Sequence, residues 1–296
     1  MSKTVSLVLG SGGARGYTHI GVIEELLDRG YEITSVSGAS MGALIGGLYA
    51  AGKLEEYTEW ILDLDLMAVA KLLDLTFSRS GMISGEKVFA IIEEMVGDVQ
   101  IEDLPIPYTA VSTNLNKQKE VWFQRGSLVD AIRASIAIPT IFTPKKIGDD
   151  YYVDGGVLDP LPIAPLMADN SDLTIAVDLC APSIQKPLEI KTGAKEKRRS
   201  SAIAKMFWEA ERKASSWLGS TQKESTNSLD MLSIMGQSID IMQNAIRECH
   251  MAGNQADITV PIPNNICGFY EFNRAGEMIS YGRQIAASQL DAYGVQ

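Results

Sequence analysis

The stretch Val36-Ser37-Gly38-Ala39-Ser40-Met41-Gly42-Ala43 constrains this chain more than any other. An apolar lead-in from Ile33 to Val36 runs into the pattern G-x-S-x-G, and an apolar helical pattern follows at once from Ala43 to Leu48. In a strand-turn-helix setting, a serine at the tip of so sharp a turn sits in strained backbone. Gly38 and Gly42, two residues to either side, remove the Cβ atoms that would collide where strand meets helix. The serine oxygen is then presented outward over a helix N-terminus. Small-residue turns are common in α/β proteins, so the same residues also fit a plain tight turn with an incidental serine. The rest of the chain has to decide between the two.

Strands and helices alternate along the sequence. Val5 to Leu9 is a short apolar run that reads as a buried strand and ends in Gly10-Ser11-Gly12-Gly13-Ala14-Arg15-Gly16. Ile20, Ile23, Leu26 and Leu27 then recur at helical spacing until Gly30. Further helices are expected from Leu54 to Leu73, around Val88 to Met95, from Leu128 to Ile136 and from Leu229 to Met251. The apolar stripe of the last one (Met231, Leu232, Met235, Ile239, Met242, Ile246) reads as a packing face. Strands are expected over Pro107 to Asn114, Glu120 to Phe123, Tyr151 to Asp154 and Leu173 to Leu179, with an edge strand over Asp257 to Val260. The alternation predicts an α/β layered fold with a mostly parallel sheet.

Composition narrows the class. At 296 residues and 46% hydrophobic the chain is an ordinary globular one. A formal charge of −11 argues against nucleic acid as a main partner, because phosphate neutralisation needs a basic surface. The three cysteines (Cys180, Cys249, Cys267) show no metal or redox spacing and read as small buried hydrophobes in a reducing compartment. No apolar run reaches the length of a membrane span, so a cytoplasmic location is expected. One segment differs from the rest. From Lys186 to Lys213 nine basic residues stand against four acidic ones, and Ile203, Met206, Phe207, Ala210, Ala214, Trp217 and Leu218 follow helical spacing, with Trp208 at the edge. A basic amphipathic helix with aromatics suits an interfacial membrane contact through 186–218, or a lid. An ordinary core-facing helix behind a solvated charge run fits as well. The expected organisation is a catalytic core over 1–182, a basic amphipathic insertion over 183–227, and a helical and strand completion of the same domain over 228–296.

A serine nucleophile needs a proton acceptor and donors for a developing oxyanion. The chain holds two histidines, His19 and His250, each on a predicted helix and neither in the loop setting of a conventional triad. Asp154 is better placed, at a strand end before Gly155 and Gly156, where the backbone allows another loop to approach. A carboxylate is a weak base at neutral pH unless partly desolvated, so such a dyad relies on positioning and oxyanion stabilisation. The loop Gly10 to Gly16 opens a helix and aims amides at an anion there, and Arg15 adds positive charge. As a dinucleotide fingerprint that loop places Arg15 where the third glycine belongs, and as a P-loop it lacks the Gly-Lys-Ser/Thr ending.

Taken in order, Gly12-Gly13-Ala14-Arg15-Gly16, Gly38-Ala39-Ser40-Met41-Gly42 and Asp154-Gly155-Gly156 resemble the three signatures of patatin-like phospholipases, most nearly their bacterial RssA-type branch. Arg133 to Pro139 resembles a further family stretch, and Ser11 stands where many members carry glycine. The likeness covers roughly residues 5 to 180. It implies a three-layer α/β/α sandwich and a serine-aspartate dyad hydrolysing acyl esters of lipids, without metal or organic cofactor. On this sequence it makes Ser40 the nucleophile and Asp154 the base, with an oxyanion hole from the amides of Gly12 and Gly13 together with Ala14 and Arg15. A transacylase using the same acyl-serine, and a weakly active membrane-associated regulatory protein, are the alternatives it leaves.

Overall fold

The structure, a computed structural model, describes residues 3–64, 86–139, 141–184 and 231–294. The chain falls into two compact units, Met1–Leu188 with Ile239–Gln296, and Glu189–Ser238. Of the second, residues 231–238 are described and are helical. The basic amphipathic segment lies outside the described residues from position 185 onward, and so does most of the extension from 64 to 73 of the helix expected to start at Leu54.

In the first unit, eight strands make one sheet: β1 (Thr4–Leu9), β2 (Glu32–Ala39), β3 (Tyr108–Asn114), β4 (Lys119–Phe123), β5 (Lys145–Ile147), β6 (Asp150–Asp154), β7 (Leu173–Ala181) and β8 (Ile258–Pro263). Their order is β5-β6-β3-β2-β1-β7-β8, with β4 also on β3. The pairs among β3, β2, β1, β7 and β8 are parallel, and those of β3 with β4, β3 with β6 and β5 with β6 are antiparallel. The parallel strands are apolar runs because both of their faces are covered. β8 tolerates Pro261 and Pro263 because it forms the sheet edge, where a missing N–H breaks no ladder. Among the described residues the α-helices are α1 (Thr18–Asp28), α2 (Met41–Ala50), α3 (Leu54–Asp63), α4 (Glu86–Val96), α5 (Leu128–Ser135), α6 (Met231–Gly253, which begins in the second unit) and α7 (Ala275–Ala292).

The fold is a three-layer α/β/α sandwich. On one face α2 lies so close to the sheet that a Cβ on Gly46 would meet Val36 and Leu9 side chains at 2.7 and 3.3 Å. On the other, Leu161, Ile163 and Leu166 pack on Val8 and Ala176, with Met251 of α6 against them. Two helices distant in sequence touch backbone to backbone. A Cβ on Gly21 of α1 would lie 2.0 Å from the Ile279 carbonyl oxygen, and one on Gly282 of α7 would lie 2.1 Å from that of Thr18. α7 and β5 carry no expectation from the sequence.

Two expectations are corrected. The stripe of α6 is not a packing face: Met242 is 56% exposed, Met235, Ile239 and Ile246 are half-buried, and the buried side chains of the helix are Gln243 and Arg247. The reason is electrostatic, since Arg247 pairs with the buried Asp178 at the end of β7. Cys249 is exposed on the outside of the same helix, whereas Cys180 and Cys267 are buried.

Candidate active site

Ser40 sits between β2 and α2 with φ 54° and ψ −125°, backbone that a non-glycine residue adopts at a cost of about 1–3 kcal/mol. The turn has no room for side chains beside it. A Cβ on Gly42 would lie 2.0 Å from the Leu9 carbonyl oxygen, and one on Gly38 would lie 2.4 Å from Gly42 itself. The strain is held by a partner from α5: Ser135 Oγ accepts the Ser40 amide at 3.0 Å and donates to the Val111 carbonyl at 2.6 Å.

Sheet register brings Asp154 to this turn. β2 pairs with β3 up to Ala39 opposite Val111, and β6 takes up β3 from the next residue, Asp154 opposite Ser112. β4 occupies the other side of β3 at those positions, so β2 and β6 arrive end to end along one edge. A Cβ on Gly155 would stand 3.3 Å from Ala39 Cβ, which measures how tightly the two ends abut. α5 fixes this junction as well, since the Asp154 amide donates to the Ala137 carbonyl at 3.0 Å.

Both functional groups are buried, Ser40 1% and Asp154 3% exposed. Burial pushes the Asp154 carboxyl up to about 7, against the lowering effect of the Ser40 hydroxyl and the Gly156 amide, the latter donating to Oδ1 at 2.7 Å. Ser40 Oγ and Asp154 Oδ2 lack a partner of full hydrogen-bond geometry. The Ser40 hydroxyl is near enough to lower the carboxyl pKa yet makes no complete hydrogen bond to it, an arrangement common in sites that tighten only around substrate.

The glycine loop divides the expected donors. The amides of Gly12 and Gly13 make no hydrogen bond among the described residues, and Gly13 takes the left-handed φ of 57°. Ala14 is different: its amide donates to the Phe269 carbonyl at 2.9 Å and is not free for an oxyanion. The Arg15 charge is also turned away. Its fully buried guanidinium donates to the carbonyls of Gly12 and Asn264 at 3.1 and 3.2 Å and pairs with Asp240 at 2.5 Å. It shapes the loop from behind.

Each histidine is engaged elsewhere. His19 is buried, lies 2.8 Å through Nε2 from the Gly10 carbonyl, and is pushed down to about 4 by that burial, so it is neutral and supports the loop. His250 faces Asp159 at 3.3 Å, and burial raises that carboxyl to about 6. No group of metal-binding side chains occurs among the described residues.

Beside Ser40 an apolar cavity of about 80 Å³ is walled by Met41, Leu44, Trp60, Ile136, Ile138 and Phe142. Sequence reading missed three contributors. Ser135 lay inside a noted stretch but without a role, and the apolar wall is scattered over α2, α3 and the segment that follows α5. The polar face of α6 was masked by its methionine stripe. Among the described residues no helix is long and apolar enough to cross a membrane.

Comparison with known proteins agrees on one group. The family model described as patatin-like phospholipase matches residues 7–167. An NTE family protein of Mycobacterium bovis is 37% identical over 99% of this chain and 93% of its own length, and one of Mycobacterium tuberculosis gives the same figures. A lysophospholipase of Yarrowia lipolytica is 33% identical over 60% of this chain, a match covering 13% of that protein.

Proposed function

Because the chain belongs to the patatin-like phospholipase family, we propose that it is a lipid ester hydrolase working through a Ser40–Asp154 dyad. The observation that carries the reading is the junction of β2 and β6, which sets a strained serine against a buried carboxylate whose pKa of about 7 suits a base at neutral pH. Ser40 Oγ attacks the ester carbonyl while Asp154 takes its proton. The Gly12 and Gly13 amides hold the negative oxygen of the tetrahedral adduct. Collapse expels the alcohol, which leaves with the proton from Asp154, and an acyl-serine remains. Water then attacks that ester, Asp154 accepts its proton, and the second collapse returns the proton to Ser40 and frees the carboxylic acid. The apolar cavity beside Ser40 supports an acyl chain as the group bound at that side.

A fluorophosphonate probe tests the nucleophile. Peptide mapping is expected to find the label on Ser40, and Ser40→Ala is expected to lose both label and hydrolysis of p-nitrophenyl butyrate. Labelling elsewhere, or retained hydrolysis, sinks the assignment. Composition alone supports peripheral membrane contact from the cytoplasmic side through 186–218, outside the described residues. Co-sedimentation with anionic vesicles that survives deletion of 186–218 removes that part.

A further inference from the structure

The inward face of α6 is polar where a packing helix would be apolar. Gln243 and Arg247 are 5% and 7% exposed, and Asp240 precedes them on the same face. Burying a primary amide and a guanidinium costs free energy unless each is paired, and here each is paired with a side chain, Gln243 with Ser11 of the glycine loop and Arg247 with Asp178 of β7. Asp240 takes Nη2 of Arg15 at 2.5 Å, and Arg15 in turn donates to the Gly12 carbonyl at 3.1 Å. Gln243 donates through Nε2 to Ser11 Oγ at 3.1 Å and accepts the Cys180 thiol at 3.8 Å. Arg247 pairs with Asp178, whose second oxygen accepts the Cys180 amide at 2.9 Å.

Gln243 also faces the other half of the site. A Cβ on Gly156 would lie 2.3 Å from Gln243 Nε2 and 2.5 Å from Ser11 Oγ. The Gln243 amide is thus wedged between the donor loop and the turn whose Gly156 amide holds Asp154. One side chain touches both halves.

We infer that Gln243 and Asp240 are positioning residues of the site. They hold Ser11 and Gly12 so that the free amides of Gly12 and Gly13 stand where the oxyanion develops, and Gln243 sets the distance from that loop to the Asp154 turn. This rests on the hydrolase reading above. Neither side chain touches the reacting atoms. They act through the loop, as a supporting layer does for a site that must be held to within about 0.5 Å.

Gln243→Met keeps the volume and removes the amide, and Asp240→Asn keeps the shape and removes the charge. With p-nitrophenyl butyrate, kcat of Gln243→Met is expected to fall about 10- to 100-fold with KM within about twofold, the range given by a misplaced donor. Asp240→Asn is expected to fall in the same direction by less. Ser11→Gly removes the same bond from the other side, so the double variant is expected to be no slower than the slower single one. Hydrogen exchange gives a reading independent of turnover: the peptide covering residues 10–17 exchanges faster in Gln243→Met, and peptides from β1 and β2 do not. Losses that multiply in the double variant overturn the inference. So does unchanged exchange in 10–17, and so does faster exchange throughout, which marks a general folding role. A wild-type protein without Ser40-dependent hydrolysis defeats the enzymatic reading instead, and the loop exchange then still decides whether α6 holds the loop.

Discussion

Two serine–aspartate pairs bound the second half of β2, one at Ser35 within the strand and one at Ser40 just past its end. At the far end, Ser35 donates to Asp169, and Ser6 Oγ lies 3.3 Å from the same carboxylate oxygen, with Ser171 on Ser6 at 2.8 Å. At the near end, Ser40 stands against Asp154. The chemistry is nominally the same, yet the settings are opposed. Asp169 is exposed and its serines are satisfied, whereas Asp154 is 3% exposed and both it and Ser40 keep an atom without a full partner. The larger cavity, about 260 Å³, lies at the Asp169 end, and the smaller, about 80 Å³, beside Ser40. Size therefore does not pick the site. What distinguishes the near end is burial without satisfaction, strained backbone, and two free amides within the neighbouring loop.

The comparison breaks most readily on activity. Asp154→Asn is expected to lower kcat/KM for a p-nitrophenyl ester on the order of 10³-fold, the scale of a lost general base, whereas Asp169→Asn leaves it within about twofold. Equal losses would erase the distinction between the two ends. In the wild type, kcat/KM should rise with unit slope and level off near pH 7, because Asp154 must be ionised to accept the proton. The stability sign follows from the same shift. A folded-state value of about 7 lies above the ordinary 3.8, so the native state keeps a proton that the unfolded chain releases, and stability is lost as pH rises through that window. Melting of Asp154→Asn against wild type should show the variant relatively more stable at pH 8 than at pH 4.

A smaller effect concerns the turn itself. Ser40→Gly relieves the positive φ and should raise stability by about 1 kcal/mol, roughly 2 °C in Tm, while removing activity. Ser35→Gly, in extended backbone, should lower it. The reverse order in a thermal melt would mean that Ser40 is not strained.

Much of this was legible in the sequence, and for identifiable reasons. Strand β1, the Ser40 turn and α2 declare themselves by short-range pattern: an apolar run, glycines two residues either side of a serine, and a helical repeat. The partner of Ser40 was legible only as an aspartate before two glycines. That Asp154 reaches Ser40 depends on β2 and β6 meeting at adjacent residues of β3, Val111 and Ser112, a register no local pattern encodes. Ala14 illustrates the same limit, since its amide is claimed by Phe269, more than 250 residues along the chain. α6 misled because methionine and isoleucine at helical spacing normally mark a core face. Its other face, Asp240, Gln243 and Arg247 at the same period, was equally periodic but polar, and a buried polar face is recognisable only once its partners are in view.

The contact between α1 and α7 at Gly21 and Gly282 has a consequence for synthesis of the protein. The donor loop and α1 emerge from the ribosome early, but the carbonyl that fixes Ala14 and the helix that clasps α1 are translated after every strand of the sheet. A nascent chain can therefore assemble the Ser40 turn long before it can hold the amides opposite it. The loop beside the serine turn is thus completed by segments made more than 250 residues later, about 269 to 292, and not by its neighbours in sequence.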